Sequence, residues 1–497
     1  MGRGFILAID QGTTGTTAMV FDDSGRVRGR AYSEFTQYYP RPGWVEHDPE
    51  EIWTVTLRVV KAALRSGKLK PSDLAAIGIA NQRETTVLWD RKTGKPVHRA
   101  VVWQDRRTAP LCERMRADGL EEKIRAKTGL VIDPYFSATK LRWLFDHRKG
   151  LRARASRLAF GTIDSWLVWK LSGGAAHLTD YTNASRTLLF DIHRRQWDEE
   201  LLALLNVPAE VLPRVVPSSG VVATTDRSVF GAEIPIAGIA GDQQAALFGQ
   251  ACFRPGLVKN TYGTGCFVLM FTGDEAISSR KGLLTTIACA VDGSPAYALE
   301  GAIFIAGAAV QWLRDGLGLL KTAEESERLA KQVDSTLGVY LVPAFVGLGA
   351  PYWDSAARGA LVGLTRGVSR PHIVRATLEC LAYQTRDVVD TMSGESGRSL
   401  AGLRVDGGAS ANDFLMQFQA DMLGTTVDRP KIVETTALGA ALLAGRGIGK
   451  WSTPEKLERV RRRDRVFKAR MRPERREELY AGWKRAVNGV RTISSED

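Results

Sequence analysis

Three glycine-rich turns in the sequence have the composition of phosphate-binding loops: QGTTGTT at 11–17, YGTGCF at 262–267 and DGGASAN at 406–412. Glycine allows a tight turn, and the successive N–H groups of such a turn can bind an anion, assisted by threonine hydroxyls. A single turn of this kind is more typical of an ordinary hairpin. Three of them, each after an apolar run, favour a bound nucleotide. Neither the P-loop pattern GxxxxGK[ST] nor the dinucleotide pattern GxGxxG occurs in the chain.

Two aspartates stand where apolar strands are expected to end. Asp10 closes FILAID, and Asp242 follows the run IPIAGIAG and precedes an apolar helical stretch. A carboxylate at the end of a buried strand is placed to reach Mg²⁺ or water. Asp242 could accept a hydroxyl proton during phosphoryl transfer. It could equally be an ordinary helix N-cap, and the sequence leaves both interpretations open.

A third group of residues has the chemistry of a polyol site. Arg83 and Glu84 follow a predicted strand and could bind hydroxyl groups through charge-assisted hydrogen bonds, or they could form a solvated turn. Trp103 and Tyr135 stand among polar residues. Such aromatic side chains usually belong to a core, but they could also cover the carbon side of a polyol.

The elements that must position these residues follow from hydrophobic periodicity. In the first half we predict strands at 5–10, 18–23, 26–34 and 74–82 and a helix from about Pro49 to Ser66. In the second half we predict a strand–turn–strand unit at 257–273, strands at 283–291 and 296–307 and a helix at 372–392. A further strand, turn and helix would end at Gly424.

The recurrence of strand, Gly/Thr turn and strand predicts two similar α/β halves. The second half would begin between about 245 and 257, near the turn at Arg254-Pro255-Gly256. No long Pro- or Ser-rich linker separates the halves, so we expect them to pack closely around a cleft.

Composition narrows the class of protein. The 497 residues are 44% hydrophobic and 25% charged, which excludes disordered and fibrous classes. The five cysteines form no CxxC pair, which is typical of reduced, buried thiols in a cytosolic protein. The N-terminus does not read as a signal peptide, and the longest apolar stretch is about ten residues, too short to cross a membrane. We therefore expect a cytoplasmic protein with no membrane insertion.

The net charge of +13 leaves nucleic acid, membrane surfaces and anionic substrates as partner classes. The basic residues concentrate near the C-terminus, for example at Arg461-Arg462-Arg463 and Arg475-Arg476. Glutamates and aspartates are interspersed there, and mixed signs are typical of a solvated helix face. We expect no nucleic-acid partner.

Taken in order, the segments resemble the FGGY family of carbohydrate kinases, which have the actin-like ATPase fold. The resemblance extends from Phe5 to about Lys450 and includes YFSATKLRWLFDH (135–147) and GALVGLTRGVSRPHIVRATLE (359–379). It implies an α/β protein of two actin-like ATPase, ribonuclease H-like domains flanking a central catalytic cleft. Residues 1–250 would be the glycerol-binding N-terminal domain with the first phosphate loop, and 251–497 the nucleotide-binding C-terminal domain.

NQRETT (81–86), GDQQAALFGQ (241–250) and TYGTGCF (261–267) are similar to glycerol-phosphorylating members in particular. The resemblance implies in-line, Mg²⁺-assisted transfer from ATP to glycerol, giving sn-glycerol 3-phosphate in glycerol catabolism, with Asp242 as general base. Glycerol would be bound by Arg83, Glu84, Trp103, Tyr135, Asp242, Gln243 and Phe267. The nucleotide would be held by Thr13, Thr14, Thr264, Gly307, Gln311, Gly408 and Asn412, with Asp10 near Mg²⁺.

The sequence departs from the family pattern in its first phosphate loop. The family usually has an arginine where this chain has Thr17, so one cationic phosphate contact is missing. The stretch TTDRSVFGAEIP (224–235) lacks the glycine cluster with which some members bind fructose 1,6-bisphosphate, and no histidine lies between His193 and His372. We therefore expect neither that inhibition nor a switch by histidine phosphorylation.

The sequence leaves two alternative functions open. The chain could be a kinase for another polyol or ketose of the same family. It could also be a non-catalytic actin-like protein that binds ATP as a conformational switch, although Asp242 favours an enzyme. The family often forms homodimers or homotetramers, and no sequence feature decides between these states.

Overall fold

The computed structural model describes residues 4–494 and contains two α/β halves, each built on one mixed sheet. The strands of the first half are β1 (Phe5–Gln11), β2 (Gly15–Phe21), β3 (Val27–Glu34), β4 (Glu46–His47), β5 (Leu74–Asn81), β6 (Val87–Asp90), β7 (Ala100–Val101), β8 (Leu158–Gly161), β9 (Leu178–Asp180), β10 (Phe190–Asp191), β11 (Gln196–Trp197), β12 (Arg214–Val216), β13 (Ser219–Thr224) and β14 (Pro235–Gly241). Its helices are α1 (Pro49–Ser66), α2 (Ala109–Ala117), α3 (Glu121–Thr128), α4 (Ser137–His147), α5 (Ile163–Leu171), α6 (Tyr181–Ala184), α7 (Glu199–Leu204), α8 (Arg227–Phe230) and α9 (Asp242–Gly249).

The second half has fewer and longer helices. Its strands are β15 (Leu257–Tyr262), β16 (Cys266–Gly273), β17 (Leu284–Cys289), β18 (Pro295–Ile303), β19 (Tyr340–Val342), β20 (Ala360–Val362), β21 (Gly402–Asp406), β22 (Val427–Pro430) and β23 (Arg463–Phe467). Its helices are α10 (Gly307–Gln311), α11 (Glu325–Ala330), α12 (Arg370–Ser396), α13 (Asp413–Leu423), α14 (Thr435–Gly447), α15 (Pro454–Arg461) and α16 (Pro473–Ser494).

The two sheets share one strand arrangement. The N-terminal sheet has the order β13-β14-β5-β1-β2-β3, and the C-terminal sheet has the order β23-β22-β21-β15-β16-β18-β17. In each, three neighbouring strands are parallel and a meander continues antiparallel from the third of them. The prediction of two similar α/β halves is confirmed.

The elements with the strongest sequence signals form where they were predicted. Helix α1 begins after Asp48, whose carboxylate accepts a hydrogen bond from the Glu50 N–H at 2.9 Å, and Pro49 takes the first helical position. Its apolar residues Ile52, Val55 and Val59 face the core of the N-terminal half. Helix α13 ends at Gly424, whose φ of +65° is the left-handed conformation that glycine adopts readily.

Helix α14 lies in the C-terminal half of the chain but packs against the N-terminal sheet. Its alanines and leucines share one apolar cluster with residues of β1, β5 and β14. The approach is so close that a Cβ on Gly78 of β5 would collide with the carbonyl oxygen of Ala440. Helix α14 also crosses α9, where a Cβ on Gly439 would collide with the carbonyl oxygen of Ala245. These glycines let the backbones of the two halves touch.

The cysteines, the C-terminal arginines and the helices can each be compared with the predictions from composition. All five cysteines are buried and unpaired, as predicted. Within the basic C-terminal segment, Arg461 is buried and forms an ion pair with Asp428 at 3.0 Å, while Arg475 pairs with Glu478 at 2.6 Å. These arginines are therefore matched by acidic neighbours. None of the helices in residues 4–494 is long and apolar enough to cross a membrane.

Candidate active site

The register of three parallel strands brings the first group of predicted residues together. Strand β5 lies between β1 and β14, and the register aligns Gln11 and Gly241 with Asn81. The carboxyl ends of these strands therefore form one edge, and residues that follow each strand meet there. This places Asp10 and the turn 11–17, Arg83 and Glu84, and Asp242 around one point.

Asp242 does not occupy the N-cap position of its helix. Gly241 occupies the N-cap of α9 without a side-chain cap, and Asp242 is the first helical residue. Its Oδ1 lies 3.3 Å from the Nε of Arg83, and the side chain keeps 28% of its exposure, so the carboxylate faces the cleft. Asp242 is therefore not the N-cap, although its Oδ1 accepts a hydrogen bond from the Gln243 N–H at 2.7 Å, and its role as a base stays a prediction.

Arg83 and Glu84 are buried, with 2% and 1% of their side-chain surface exposed, so the solvated-turn interpretation is also wrong. Arg83 donates to the hydroxyl of Tyr135 at 3.3 Å and to both oxygens of Glu300 at 2.5 and 2.9 Å. Arg186 donates to Glu84 at 2.7 Å and to Glu300 at 3.0 Å. Two arginines and two glutamates are thus linked in one buried group, which we call the buried charge cluster.

The buried charge cluster joins the two sheets. Glu300 lies on β18 of the C-terminal sheet, whereas Arg83 follows β5 of the N-terminal sheet. Burial alone would raise the pKa of Glu300, but the positive charges of Arg186 and Arg83 outweigh burial and lower it to about 2. Glu300 is therefore charged at neutral pH and holds the guanidinium of Arg83 beside Asp242.

Three aromatic rings line the same place. Trp103 meets Tyr135 edge-to-face with ring centroids 5.5 Å apart, and Trp103 also faces Phe267 at 6.4 Å. The guanidinium of Arg83 lies 6.0 Å from the Phe267 ring. Lys140 fixes the turn that carries Tyr135, because its ammonium donates to the carbonyl oxygens of Pro134 and Phe136 at 2.7 and 2.9 Å. Aromatic rings and charged hydrogen-bonding groups together suit a small polyol.

Gln243 completes the group of residues that were predicted to bind the polyol. Its carboxamide oxygen accepts a hydrogen bond from the ammonium of Lys259, a buried residue of β15 in the C-terminal sheet. The structure therefore brings together all seven residues that the family resemblance implied for glycerol, namely Arg83, Glu84, Trp103, Tyr135, Asp242, Gln243 and Phe267.

The first glycine-rich turn, 11–17, is hydrogen-bonded to the predicted polyol site. The Gly12 N–H donates to the Gly15 carbonyl at 2.9 Å, which closes the turn between β1 and β2. The indole N–H of Trp103 donates to the Thr13 hydroxyl at 2.9 Å. Thr14 is exposed, and Thr17 lies on β2 opposite Tyr32. A residue predicted to contact the polyol thus bonds directly to one predicted to contact phosphate.

The other two turns meet on the C-terminal sheet. Strands β15 and β21 are paired, and Gly407 is so close to Tyr262 that a Cβ would collide with the Tyr262 carbonyl oxygen. A Cβ on Gly307 would lie 2.5 Å from the Gly263 carbonyl oxygen. The turn bearing Thr264, the start of α10 at Gly307 and the turn at Gly408 therefore adjoin.

The contacts of Gln311 and Asn412, both predicted to bind the nucleotide, do not by themselves indicate a nucleotide site. Gln311 is exposed at the end of α10. Asn412 caps α13, since its side-chain oxygen accepts from the Leu415 N–H at 2.9 Å, and its Nδ2 donates to Ser326 at 3.3 Å. The geometry gives Asn412 a structural role, and its contact with a nucleotide stays a prediction.

Asp10 has the electrostatic surroundings of a cation ligand. Burial, followed by the negative charges of Asp242 and Glu434, raises the pKa of Asp10 to about 7. A divalent cation would relieve this repulsion between carboxylates. Among residues 4–494, no group of three or more His, Cys, Asp or Glu side chains forms a ready metal cage. Mg²⁺ is commonly held by one or two carboxylates together with substrate phosphates and water, so Asp10 fits this ion.

Three residues of the site were missed in the sequence, namely Glu300, Arg186 and Lys259. Two of them could have been identified from the sequence, because each places a charge inside an apolar strand. Glu300 interrupts the apolar run AYALEGAIF, and Lys259 interrupts LVKNTY. A charge inside a buried strand is stable only with a partner, so each implied one. Arg186 lies in a polar loop and gave no such signal.

Known proteins resemble this chain along its length. The model of the N-terminal domain of the FGGY family of carbohydrate kinases matches residues 5–249, and that of the C-terminal domain matches 258–448. A glycerol kinase from Caldanaerobacter subterraneus subsp. tengcongensis is 60% identical over 485 residues, covering 97% of this chain and 98% of that protein. A glycerol kinase from Halorhodospira halophila is 60% identical over 490 residues, covering 98% and 96%.

Solved structures show the same fold. The crystal structure of Plasmodium falciparum glycerol kinase with ADP superposes with a TM-score of 0.92 at 37% identity and covers 98% of both chains. A gluconate kinase from Lactobacillus acidophilus superposes with a TM-score of 0.89 over the full length of both chains. At 20% identity, that second likeness bears on the fold alone.

Proposed function

This chain belongs to the FGGY family of carbohydrate kinases, and we propose that it transfers a phosphoryl group from ATP to glycerol, giving sn-glycerol 3-phosphate and ADP. The observation that carries this proposal is the identity of 60% to glycerol kinases over nearly the whole chain. The meeting of Arg83, Asp242 and the aromatic rings supports the choice of a small polyol as acceptor.

In this mechanism Asp242 is the general base. Its carboxylate accepts the proton of a terminal glycerol hydroxyl as the oxygen of that hydroxyl attacks the γ-phosphorus of ATP. The new O–P bond forms while the bond from the γ-phosphorus to the bridging oxygen breaks, and ADP leaves with the electron pair. Arg83, whose Nε lies 3.3 Å from Oδ1 of Asp242, orients the carboxylate before the reaction.

The remaining residues bind and enclose the reactants. Trp103, Tyr135 and Phe267 would cover the carbon side of glycerol, while Glu84 and Gln243 would bond its hydroxyls. The turns at 11–17 and 262–267, one from each half, would hold phosphate through backbone N–H groups and threonine hydroxyls. Closing the cleft between the halves would exclude water, which otherwise competes as the acceptor.

We propose Mg²⁺ at Asp10, because the nearby negative charges of Asp242 and Glu434 favour a cation there. When bound there with ATP, the ion neutralises charge on the phosphate oxygens. The protein's part is to hold the Asp10 carboxylate at the phosphate edge of the site, where the negative charges of Asp242 and Glu434 favour a cation.

The proposal is tested by ADP release from ATP with a panel of acceptors, comparing glycerol with ketoses, gluconate and other polyols. Glycerol should give the highest kcat/KM, and Asp242→Asn should lower kcat by about 10²–10⁴-fold, the usual contribution of a general base. Asp226→Asn, at the exposed cap of α8, serves as control and should leave the rate unchanged. Faster turnover of a ketose would refute glycerol as substrate. Full activity in Asp242→Asn would refute the mechanism.

A further inference from the structure

Lys259 is a fully buried cation that reaches across from the C-terminal sheet to the acceptor site. Its ammonium donates three hydrogen bonds, to the Gln243 side-chain oxygen, to the Thr261 hydroxyl at 2.7 Å and to the Phe267 carbonyl oxygen at 3.2 Å. Burial lowers the pKa of Lys259 and the negative charges of Asp406, Asp242 and Glu300 oppose that shift, while the three acceptors match the three N–H bonds of the ammonium form. All of its donors are used within the protein, so it has none left for a phosphate group.

The contact with Lys259 fixes which end of the Gln243 side chain is free. An ammonium group can only donate, so the atom it touches must be the carboxamide oxygen. Gln243 is 7% exposed, and among residues 4–494 no protein group accepts a hydrogen bond from its Nε2. The amide nitrogen, a donor, is therefore the end left for a ligand.

A donor beside Asp242 decides the direction of hydrogen bonding at the reacting hydroxyl. Gln243 follows Asp242 in the first turn of α9. A hydroxyl oxygen that accepts a hydrogen bond from Nε2 must direct its own proton to another acceptor, and the Asp242 carboxylate is that acceptor. A reversed amide would offer an oxygen and compete with Asp242 for the same proton.

Resting on the proposed function, we propose that Lys259 is a positioning residue that holds the Gln243 carboxamide with its N–H₂ toward the acceptor hydroxyl. The same ammonium holds the backbone of Phe267, which bears the ring that faces Trp103. A residue of the C-terminal sheet thereby sets two parts of the glycerol site, and it acts on the acceptor rather than on the nucleotide.

A double-mutant cycle tests this proposal. Steady-state kinetics and melting temperatures would be measured for wild type, Lys259→Met, Gln243→Leu and the double variant. We expect Lys259→Met to raise the KM for glycerol about tenfold or more, as for loss of a hydrogen bond to a charged group, with the KM for ATP within about twofold. Because Lys259 acts through Gln243, the two effects should not multiply, and the double variant should exceed Gln243→Leu only by what the lost Phe267 contact adds. Lys127→Met, which removes an ion-paired lysine on α3, should leave both KM values unchanged.

Gln243→Glu provides a second measurement if Lys259→Met fails to fold. A carboxylate can still accept from Lys259 but cannot donate, so this variant should keep the melting temperature and lose at least about tenfold in kcat/KM for glycerol. Any of three results would overturn the proposal for Lys259. These are multiplicative effects of the two substitutions in the cycle, an equal rise in the KM for ATP, and full activity of Gln243→Glu. Wild-type protein that does not phosphorylate glycerol would instead overturn the proposed function.

Discussion

Asp10 couples cation binding to pH. Burial and then the charges of Asp242 and Glu434 raise its pKa to about 7, so a large share of Asp10 is protonated in the metal-free protein at neutral pH. Cation and proton compete for the carboxylate. We expect the apparent KM for MgATP to rise up to about tenfold per pH unit below 7 and to level off above it. Kinetics from pH 5.5 to 8.5 check this, and a flat profile would contradict it.

The raised pKa of Asp10 also makes the stability of the metal-free fold depend on pH. Because the folded-state pKa is raised, Asp10 stabilises the fold fully below its unfolded pKa near 4 and loses that contribution as the pH rises through about 7. Asp10→Asn removes the dependence. In EDTA, the melting temperature of this variant relative to wild type should therefore be higher at pH 8 than at pH 5.

Trp103 touches both reactant sites, and its two functions can be separated. Trp103→Phe keeps an aromatic ring but removes the hydrogen bond to the Thr13 hydroxyl. A bond of this kind contributes about 1 kcal/mol, so we expect the KM for ATP to rise about fivefold while that for glycerol changes less than twofold. Trp197→Phe is the matched control, because its indole N–H bonds the Pro213 carbonyl outside the site. A rise confined to the KM for glycerol would show that the hydrogen bond is irrelevant.

At the scale of elements, α9 and α14 cross in close backbone contact. Gly439→Ala places a methyl group against the Ala245 carbonyl oxygen and must push the helices apart. We expect a loss of about 1–3 kcal/mol in the free energy of unfolding, and a lower kcat because α9 carries Asp242. Urea denaturation measures the first and steady-state kinetics the second.

Gly489→Ala in α16 is the control for that experiment. Nothing lies within 4 Å of the added Cβ, so this variant should gain up to about 1 kcal/mol from helix propensity alone. If Gly439→Ala were stabilising to the same extent, the close crossing of the helices would not matter energetically.

The elements themselves were largely predictable from local pattern. Helix α1 was predicted with its observed ends, since Pro49, the helical spacing of apolar residues and Ser66-Gly67 mark it locally. The docking of α14 could not be predicted. Its composition, TTALGAALLAGRG, indicates a tightly packed helix, but nothing in the sequence says which sheet it covers.

The individual residues of the candidate site were predictable from the sequence. The buried ion pairs that hold these residues in place were not. Asp242 and Arg83 follow strands and stand out by their type and place. Glu300 is 217 positions from Arg83, and only the fold brings the two together. Pairings between the halves depend on the complete tertiary structure, which is why the buried charge cluster was not anticipated.

At the scale of the whole molecule, the buried charge cluster holds the halves together. Glu300→Gln removes one charge and leaves Arg83 and Arg186 short of a partner, and breaking a buried pair costs about 3–5 kcal/mol. We expect a destabilisation of that order together with a higher KM for glycerol. Since the pKa of Glu300 is lowered to about 2, its contribution is present above about pH 4.5 and is lost as the pH falls toward 2.

Glu275→Gln is the surface counterpart for this measurement. Glu275 is paired with Arg398 at 2.7 Å but is 64% exposed, so its loss should cost at most about 1 kcal/mol and less at high salt. The effect of Glu300→Gln should persist in 0.5 M NaCl. Equal losses in the two variants would mean that the buried charge cluster does not join the halves.

The docking of α14 on the N-terminal sheet also bears on biosynthesis. Strand β14 completes that sheet at Gly241, but the helix that covers one of its two apolar faces ends at Gly447. At about 5–20 residues per second, the ribosome needs roughly 10–40 s to make the intervening 200 or so residues. During that time the nascent sheet exposes Ile6, Ala8 and Ala240 without their partner. The N-terminal sheet, although synthesised first, therefore gains the cover of α14 only after most of the C-terminal half has been made.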